Sequence, residues 1–261
     1  MLAGGDGRLE TEKLLSATLD IGEEMLISGA EVGRVEDSMR RMLSAYALQR
    51  VDVFTITSSI VVTVTDAEGK TLTQTRRIRG YSTDLDRLHA LNGLSRRICE
   101  KKPPLSEMKS ALAEILQNRP YPVLVQALAF AVIAGSFTLF FGGSAPEAAA
   151  SALIGLLLKF VVLLMQKTGV NQVFANVVHS FFVSLLAFLC TAAGFGAQPD
   201  SIIIGNIMLL IPGIGMTNAI RDIISGDIIA GILRFCEAVV IALAIAAGYS
   251  IAALLCGRLL P

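Results

Sequence analysis

From Tyr121 to the C-terminus the sequence is almost without charge. The 261-residue chain has 22 Lys/Arg and 22 Asp/Glu; 17 of each fall in residues 1–120, leaving five of each for the last 141. Val123–Phe141 and Val173–Ala193 contain none. A soluble domain needs a charged outer surface, so this half cannot be one. Other scarcities narrow the chemistry. There are two histidines and four cysteines (Cys99, Cys190, Cys236 and Cys256), with no CxxC pair. That excludes a structural zinc site, and neither metal nor cofactor is expected. No GxxxxGK[ST] loop is present to hold nucleotide phosphates, which disfavours an ATP-driven pump. Net charge is zero in both halves, and no basic run points to nucleic acid. Glu10, Glu12, Lys13, Asp20, Glu23 and Glu24 interrupt the first 24 residues, so no signal peptide is expected there.

What remains is a chain in two parts. Residues 1–120 read as a cytoplasmic α+β domain and 121–261 as a transmembrane helical domain, with the change at Arg119-Pro120-Tyr121-Pro122. In the first part, Leu14, Leu15, Ile21, Met25 and Leu26 recur at helical spacing, and Gly29 falls where a C-terminal cap belongs. A second amphipathic helix carries Val32, Val35, Met39 and Met42. The period then shortens: Val51–Thr57, Ile60–Thr65 and Thr71–Arg79 are rich in β-branched residues, with a turn at Asp66–Lys70. Three antiparallel strands are expected, with Ser58-Ser59 as a turn or bulge. Thr83 and Asp86 resemble a capping box opening a third helix, Pro103-Pro104 stops it, and Ser106–Gln117 forms a fourth. The order ααβββαα defines a small α+β domain.

Crossing the hydrocarbon core takes about 20 apolar residues as a helix. Five segments fit: Val123–Phe141, Pro146–Met165, Val173–Ala193, a short one at Ser201–Met216 and a long one at Ile228–Cys256. The fold class is therefore an α-helical membrane protein, a cytoplasmic α+β domain followed by a bundle of about five transmembrane helices. The loops Gly142–Ala145 and Gly194–Asp200 lack Lys and Arg, while Lys167, Arg221 and the basic first half lie on the opposite side. The positive-inside rule then predicts a multi-pass protein of the cytoplasmic (inner) membrane with its N-terminus inside, leaving Arg258 as the one external basic residue.

Polar residues within these spans are the candidate site, because each is costly in lipid. Ser151, Gly155 and Lys159 share one face of the second span. Asn176, Ser180 and Ser184 share one face of the third, beside His179, and Asn206 lies midway along the fourth. In the fifth, Asp227 is placed as an N-cap, and Ala230, Gly231, Arg234 and Glu237 share a face. Lys159 and Arg234 are the cations best suited to an anionic substrate group. Against that stand snorkelling for Lys159, an intrahelical pair with Glu237 for Arg234, and helix packing for His179 and the small residues. Between the last two spans, Ile211-Pro212-Gly213-Ile214-Gly215 must interrupt a helix: Pro212 offers no N–H to the Met208 carbonyl, and Thr217 or Asn218 can cap a new one. Transporters often bind ligands at such breaks.

Two segments resemble a known family. Gly29-Ala30-Glu31-Val32-Gly33-Arg34-Val35-Glu36, followed by Val51–Phe54, is similar to the N-terminal signature of the threonine/serine exporter family. Pro212-Gly213 through Thr217-Asn218-Ala219-Ile220-Arg221-Asp222, with Ser225-Gly226-Asp227, Gly231 and Arg234, is similar to its second signature. The resemblance implies a secondary exporter of small metabolites, of threonine and serine or of dicarboxylates such as succinate, rather than an enzyme. It marks Glu31, Arg34 and Glu36 in the cytoplasmic domain, and Pro212, Gly213, Asn218, Arg221, Asp222, Asp227 and Arg234 in the membrane half. Family members are fused, with about ten spans, or split into a component of this length and a smaller membrane-embedded one. With about five spans, this chain looks like the larger half of a split exporter. The expected partners are therefore the lipid bilayer, that smaller protein, a small-molecule substrate and, as a further option, copies of itself. The competing readings are a membrane-tethered hydrolase using Ser58 or Ser59 with His89, which has no GxSxG elbow, and a membrane-anchored sensor.

Overall fold

The computed structural model describes residues 4–46, 48–118 and 120–259; Arg119, in the compositional boundary, and the Arg258 side chain lie outside the described residues. The elements are α1 (Gly4–Ile27), α2 (Val32–Ser44), β1 (Arg50–Ile56), β2 (Ser59–Thr65), β3 (Thr71–Arg77), α3 (Leu85–Lys101), α4 (Leu105–Gln117), α5 (Val123–Phe140), α6 (Ala145–Thr168), α7 (Gln172–Ala192), α8 (Pro199–Ile207), α9 (Gly213–Ile224) and α10 (Ile228–Leu259). They form two compact units. Unit 1 is Met1–Arg119 with Gly213–Cys236, and unit 2 is Pro120–Pro212 with Glu237–Pro261.

In unit 1 the three strands form an antiparallel sheet in the order β1-β2-β3, as the alternation predicts. Ile56 pairs with Ser59 across a two-residue turn, and Thr65 pairs with Thr71. The second turn is held by Asp66, whose Oδ1 accepts from the N–H groups of Glu68 and Lys70, both at 2.9 Å. Ile60, Val62 and Val64 alternate inward from β2 onto a core shared with Leu15, Leu19 and Met25 of α1, Met39 and Met42 of α2, and Leu91 and Ile98 of α3. One predicted cap moves by a residue. Asp84, not Thr83, opens α3, because its carboxylate accepts from the Arg87 N–H at 2.9 Å.

Among the described residues four helices are long and apolar enough to cross a membrane: Val123–Phe140, Ala145–Thr168, Gln172–Ala192 and Ile228–Gly257. The structure is that of a helical membrane protein with a small sheet near its N-terminus. The short fourth run, Ser201–Met216, is not one helix. It is the end of nine-residue α8, a turn at Met208–Leu210, and the start of α9. Nor does the restart wait for a cap at Thr217 or Asn218. α9 begins at Gly213, directly after Pro212, and the Thr217 hydroxyl donates back to the Gly213 carbonyl inside the helix.

Unit 2 packs through small residues, as helices do where lipid supplies no hydrophobic drive. A side chain at Gly155 would meet Ala134 Cβ at 2.7 Å and the Phe130 carbonyl at 2.8 Å; one at Gly205 would meet the Ala134 carbonyl at 2.7 Å. On α7, the Ser180 hydroxyl donates to the Ile245 carbonyl of α10 at 2.7 Å. Glu147, 5% exposed, ties two loops together. It accepts from the Ser144 N–H at 2.7 Å, and from Ala197 and Gln198 at 3.0 and 3.1 Å. Glu147→Ala leaves three backbone donors to find other partners, at about 1–3 kcal/mol for each that stays buried and unpaired. Thermal unfolding in detergent should show a loss of at least ~2 kcal/mol for Glu147→Ala and a smaller loss for Glu147→Gln, which keeps one acceptor oxygen.

Candidate functional site

The first cluster begins where α1 ends. The Ala30 N–H donates to the Met25 carbonyl at 3.0 Å and the Gly29 N–H to Leu26 at 3.1 Å, the two bonds of a Schellman motif. Gly29 takes the left-handed position it requires, with φ +98°. Its carbonyl and that of Ala30 then point away from α1 with no helical donor. Both find one more than 180 residues further along the chain: Asn218 Nδ2 donates to Gly29 at 2.9 Å, and an Arg234 amino group donates to Ala30 at 2.8 Å.

The start of α2 is completed in the same way. Its N-cap residue, Glu31, supplies no side-chain cap. Asp222 of α9 supplies one instead, its Oδ1 accepting from the Val32 N–H at 3.2 Å. An anion at a helix N-terminus is also favoured by the helix dipole. Glu31 pairs with Arg221 one residue before Asp222 in α9. The two family-like segments, separated by about 190 residues, thus form one corner of unit 1.

Arg234 was expected to share a face with Glu237, but its partner is Asp222. The guanidinium lies 3.6 Å from Asp222 Oδ2, and the two side chains are 9% and 2% exposed. Glu237 falls outside the buried stripe of Ala230, Gly231, Arg234 and Ala238 and is exposed. At about 100° per residue Glu237 lies about 60° to one side of Arg234, while Gly231 and Ala238 extend the stripe on the other. Burial raises the Asp222 carboxyl above its ordinary range, against the lowering effects of Arg234 and the Val32 N–H; Asp227 and Glu31 raise it further. Asp227 faces Gly33, where an added Cβ would stand 3.1 Å from its Oδ2. Glu36 accepts from the Thr55 N–H at 2.6 Å, and burial raises its carboxyl too. Arg34 is exposed and stands apart. Pro212 and Gly213 sit at the join before α9. Gly231 lets α9 and α10 touch: a Cβ there would lie 2.7 Å from the Ala219 carbonyl.

The second cluster lies in unit 2. Lys159 is 7% exposed, forms no ion pair among the described residues, and holds its Nζ 5.3 Å from the centre of the Phe130 ring. One turn earlier is Gly155. Asn206 Oδ1 approaches to 3.3 Å of the position a Gly155 Cβ would take. Asn206 is wholly buried, and its Nδ2 donates to Ser151 Oγ at 2.8 Å. Its Oδ1, His179 Nε2 and Ser184 Oγ are buried without a hydrogen-bond partner among the described residues. Asn176, His179, Ser180 and Ser184 share the buried face of α7 that the spacing predicts. The sequence missed Phe130, which reads as one more lipid-facing aromatic until α5 is laid against α6. The Ser58, Ser59 and His89 set is not organised for catalysis: the Ser59 hydroxyl donates to the Arg76 carbonyl, and His89 is exposed on α3.

These features define a helical membrane protein in which Gly213–Cys236 packs with the N-terminal residues as one compact unit. The chain belongs to the threonine/serine exporter family (ThrE), whose model matches residues 16–256. A "Probable threonine/serine exporter" of Mycobacterium tuberculosis is 24% identical over 249 residues, covering 94% of this chain and 47% of the relative. The "Threonine/serine exporter" of Corynebacterium glutamicum is 26% identical over 239 residues, covering 87% and 48%. The chain thus spans about half the length of the curated relatives it matches. No solved structure matches.

The ion-pair assignment is open to a double-mutant cycle. Arg234→Ala strands a buried carboxylate and should cost about 3–5 kcal/mol. Combined with Asp222→Ala, the loss should fall short of the sum of the single losses by at least ~1 kcal/mol, whereas Arg234→Ala and Glu237→Ala should add. Additivity in the first pair with coupling in the second would return Arg234 to Glu237.

Proposed function

We propose that this chain is one component of a secondary exporter that moves small carboxylate-bearing metabolites out across the cytoplasmic membrane. Threonine- and serine-type amino acids come first, from the names of the relatives; dicarboxylates such as succinate are the second substrate class. The observation that carries this reading is Lys159. A buried ammonium with no anionic partner is costly, and a carboxylate ligand removes that cost by supplying the missing charge. Phe130 stabilises the cation between substrates through its ring face. The orphaned Asn206 Oδ1, beside Gly155, can accept from a substrate ammonium or hydroxyl group.

Arg234, the other buried cation, is already engaged by Asp222 and Ala30. On this reading it positions α10 and does not contact substrate. The N-terminal domain faces the cytoplasm, in keeping with the Lys/Arg asymmetry of the loops. The relatives are about twice as long as the matched region, and a smaller membrane-embedded protein is proposed to supply the remainder.

Export of threonine, serine and succinate from cells expressing the chain, with and without that smaller protein, tests the proposal. Lys159→Gln should retain membrane protein level and lose at least ~10-fold in export, the equivalent of about 1.4 kcal/mol, and Lys159→Arg should retain part of the activity. Unchanged export by Lys159→Gln would remove Lys159 from the substrate path.

A further inference from the structure

Unit 1 holds both the charged N-terminal domain and the start of α10. Arg234 bonds Ala30, and Ala230 belongs to the apolar core that α1, α2 and β2 also build. Residues 1–120 carry 34 of the chain's 44 formal charges. Hydrocarbon cannot divide such a body, so all of it lies at one membrane face. The chain leaves unit 1 at Pro120 and returns to it at Gly213. Between those points the number of crossings must be even. Only α5, α6 and α7 in that stretch are long and apolar enough to cross as single helices, and three is odd.

The fourth crossing therefore falls to Pro199–Pro212. α8 contributes about 13 Å at 1.5 Å per residue. The turn Met208–Leu210, with its i→i−3 bonds to Asn206 and Ile207, adds about 6 Å at 2 Å per residue. Ile211 and Pro212 add up to about 7 Å. The sum is close to the ~30 Å hydrocarbon core. Half of this crossing is not helical, and no hydrogen bond ends on the carbonyls of Met208, Leu209 or Leu210 among the described residues. Lipid offers them no donor, and irregular backbone at membrane depth survives only within protein or beside water.

We propose that Pro199–Pro212 crosses the membrane as a half-helix and that the Met208, Leu209 and Leu210 carbonyls line a hydrated path, accepting hydrogen bonds from the ammonium or hydroxyl groups of the passing solute. The crossing and its hydration follow from chain parity and backbone chemistry; only the solute contact rests on the export reading. The arrangement also accounts for the length of α10. Its first two turns belong to unit 1, and Ala238–Gly257, 20 residues, remain to span the core.

Single cysteines in the full-length protein, with the four native cysteines replaced, test this in intact and opened cells. Ala197→Cys and Ser225→Cys should react with an impermeant thiol reagent from opposite faces. Leu209→Cys and Leu210→Cys should react with a small hydrophilic methanethiosulfonate at least ~10-fold faster than Val132→Cys on the exposed apolar face of α5, since only the hydrated thiol ionises. Same-face labelling of 197 and 225 would overturn the crossing. If both path cysteines were as inert as Val132→Cys, the hydrated path would be overturned. Added threonine should slow the reaction at 209. An unchanged rate, with all other labelling as expected, would overturn the solute contact and leave the crossing in place.

Discussion

The buried pair of Asp222 and Arg234 is the contact on which the organisation of unit 1 turns. Two charges taken out of water make a poor bargain unless their remaining hydrogen-bonding capacity is used. Here it largely is. One Asp222 oxygen caps α2 at Val32, the other faces the guanidinium, and Arg234 donates to the Ala30 carbonyl. The pair therefore does more than neutralise itself. It closes the end of one helix and the start of the next at a corner whose own residues cannot do so. Asn218 completes the set at Gly29. Because removing either charge strands the other, α9 and α10 are held to the N-terminal fold by an all-or-none contact.

The helical unit is stabilised differently. Glycine and alanine let backbones approach, and the few polar groups are used singly. Glu147 is saturated by three backbone donors and gathers two loops. Lys159 is its opposite, a buried charge that lies against an aromatic face and forms no ion pair among the described residues. A saturated charge is architectural, since any ligand would have to displace existing bonds. An unsaturated one is available for chemistry. The same contrast separates Arg234 from Lys159, and it reverses the order in which the two cations invite a functional role.

Pro212 stands where these two modes meet in the chain. Upstream, α8 stops at nine residues, because the turn after Ile207 tightens and no donor waits at position 212. Downstream, Gly213 opens a helix whose polar face, Asn218 and Asp222, is committed to unit 1. A continuous helix through this region would be long enough to span the membrane but would carry that face elsewhere. The break separates α8 from a helix whose polar face is bonded within unit 1.

Most of the fold was legible in the chain itself. The charge asymmetry, the apolar runs, the three β-branched strands and the glycine after α1 follow from local composition and periodicity, which depend only on near neighbours. The buried faces of α6 and α7 were legible too, since polar residues spaced at i, i+4 and i+8 must share a side of a helix. The partner of Arg234 was not. Glu237 is close in sequence and of the right sign, but backbone geometry places it on the exposed side of α10, and only the packing of α9 brings Asp222 into reach. Likewise Glu31 is well placed in sequence to cap α2 and does not; the cap arrives from 190 residues away. Sequence alone determined which residues had to be removed from lipid, because that is set by the side chain. Tertiary structure decided which of them meet, because long-range pairing depends on how helices cross, and no local pattern encodes that.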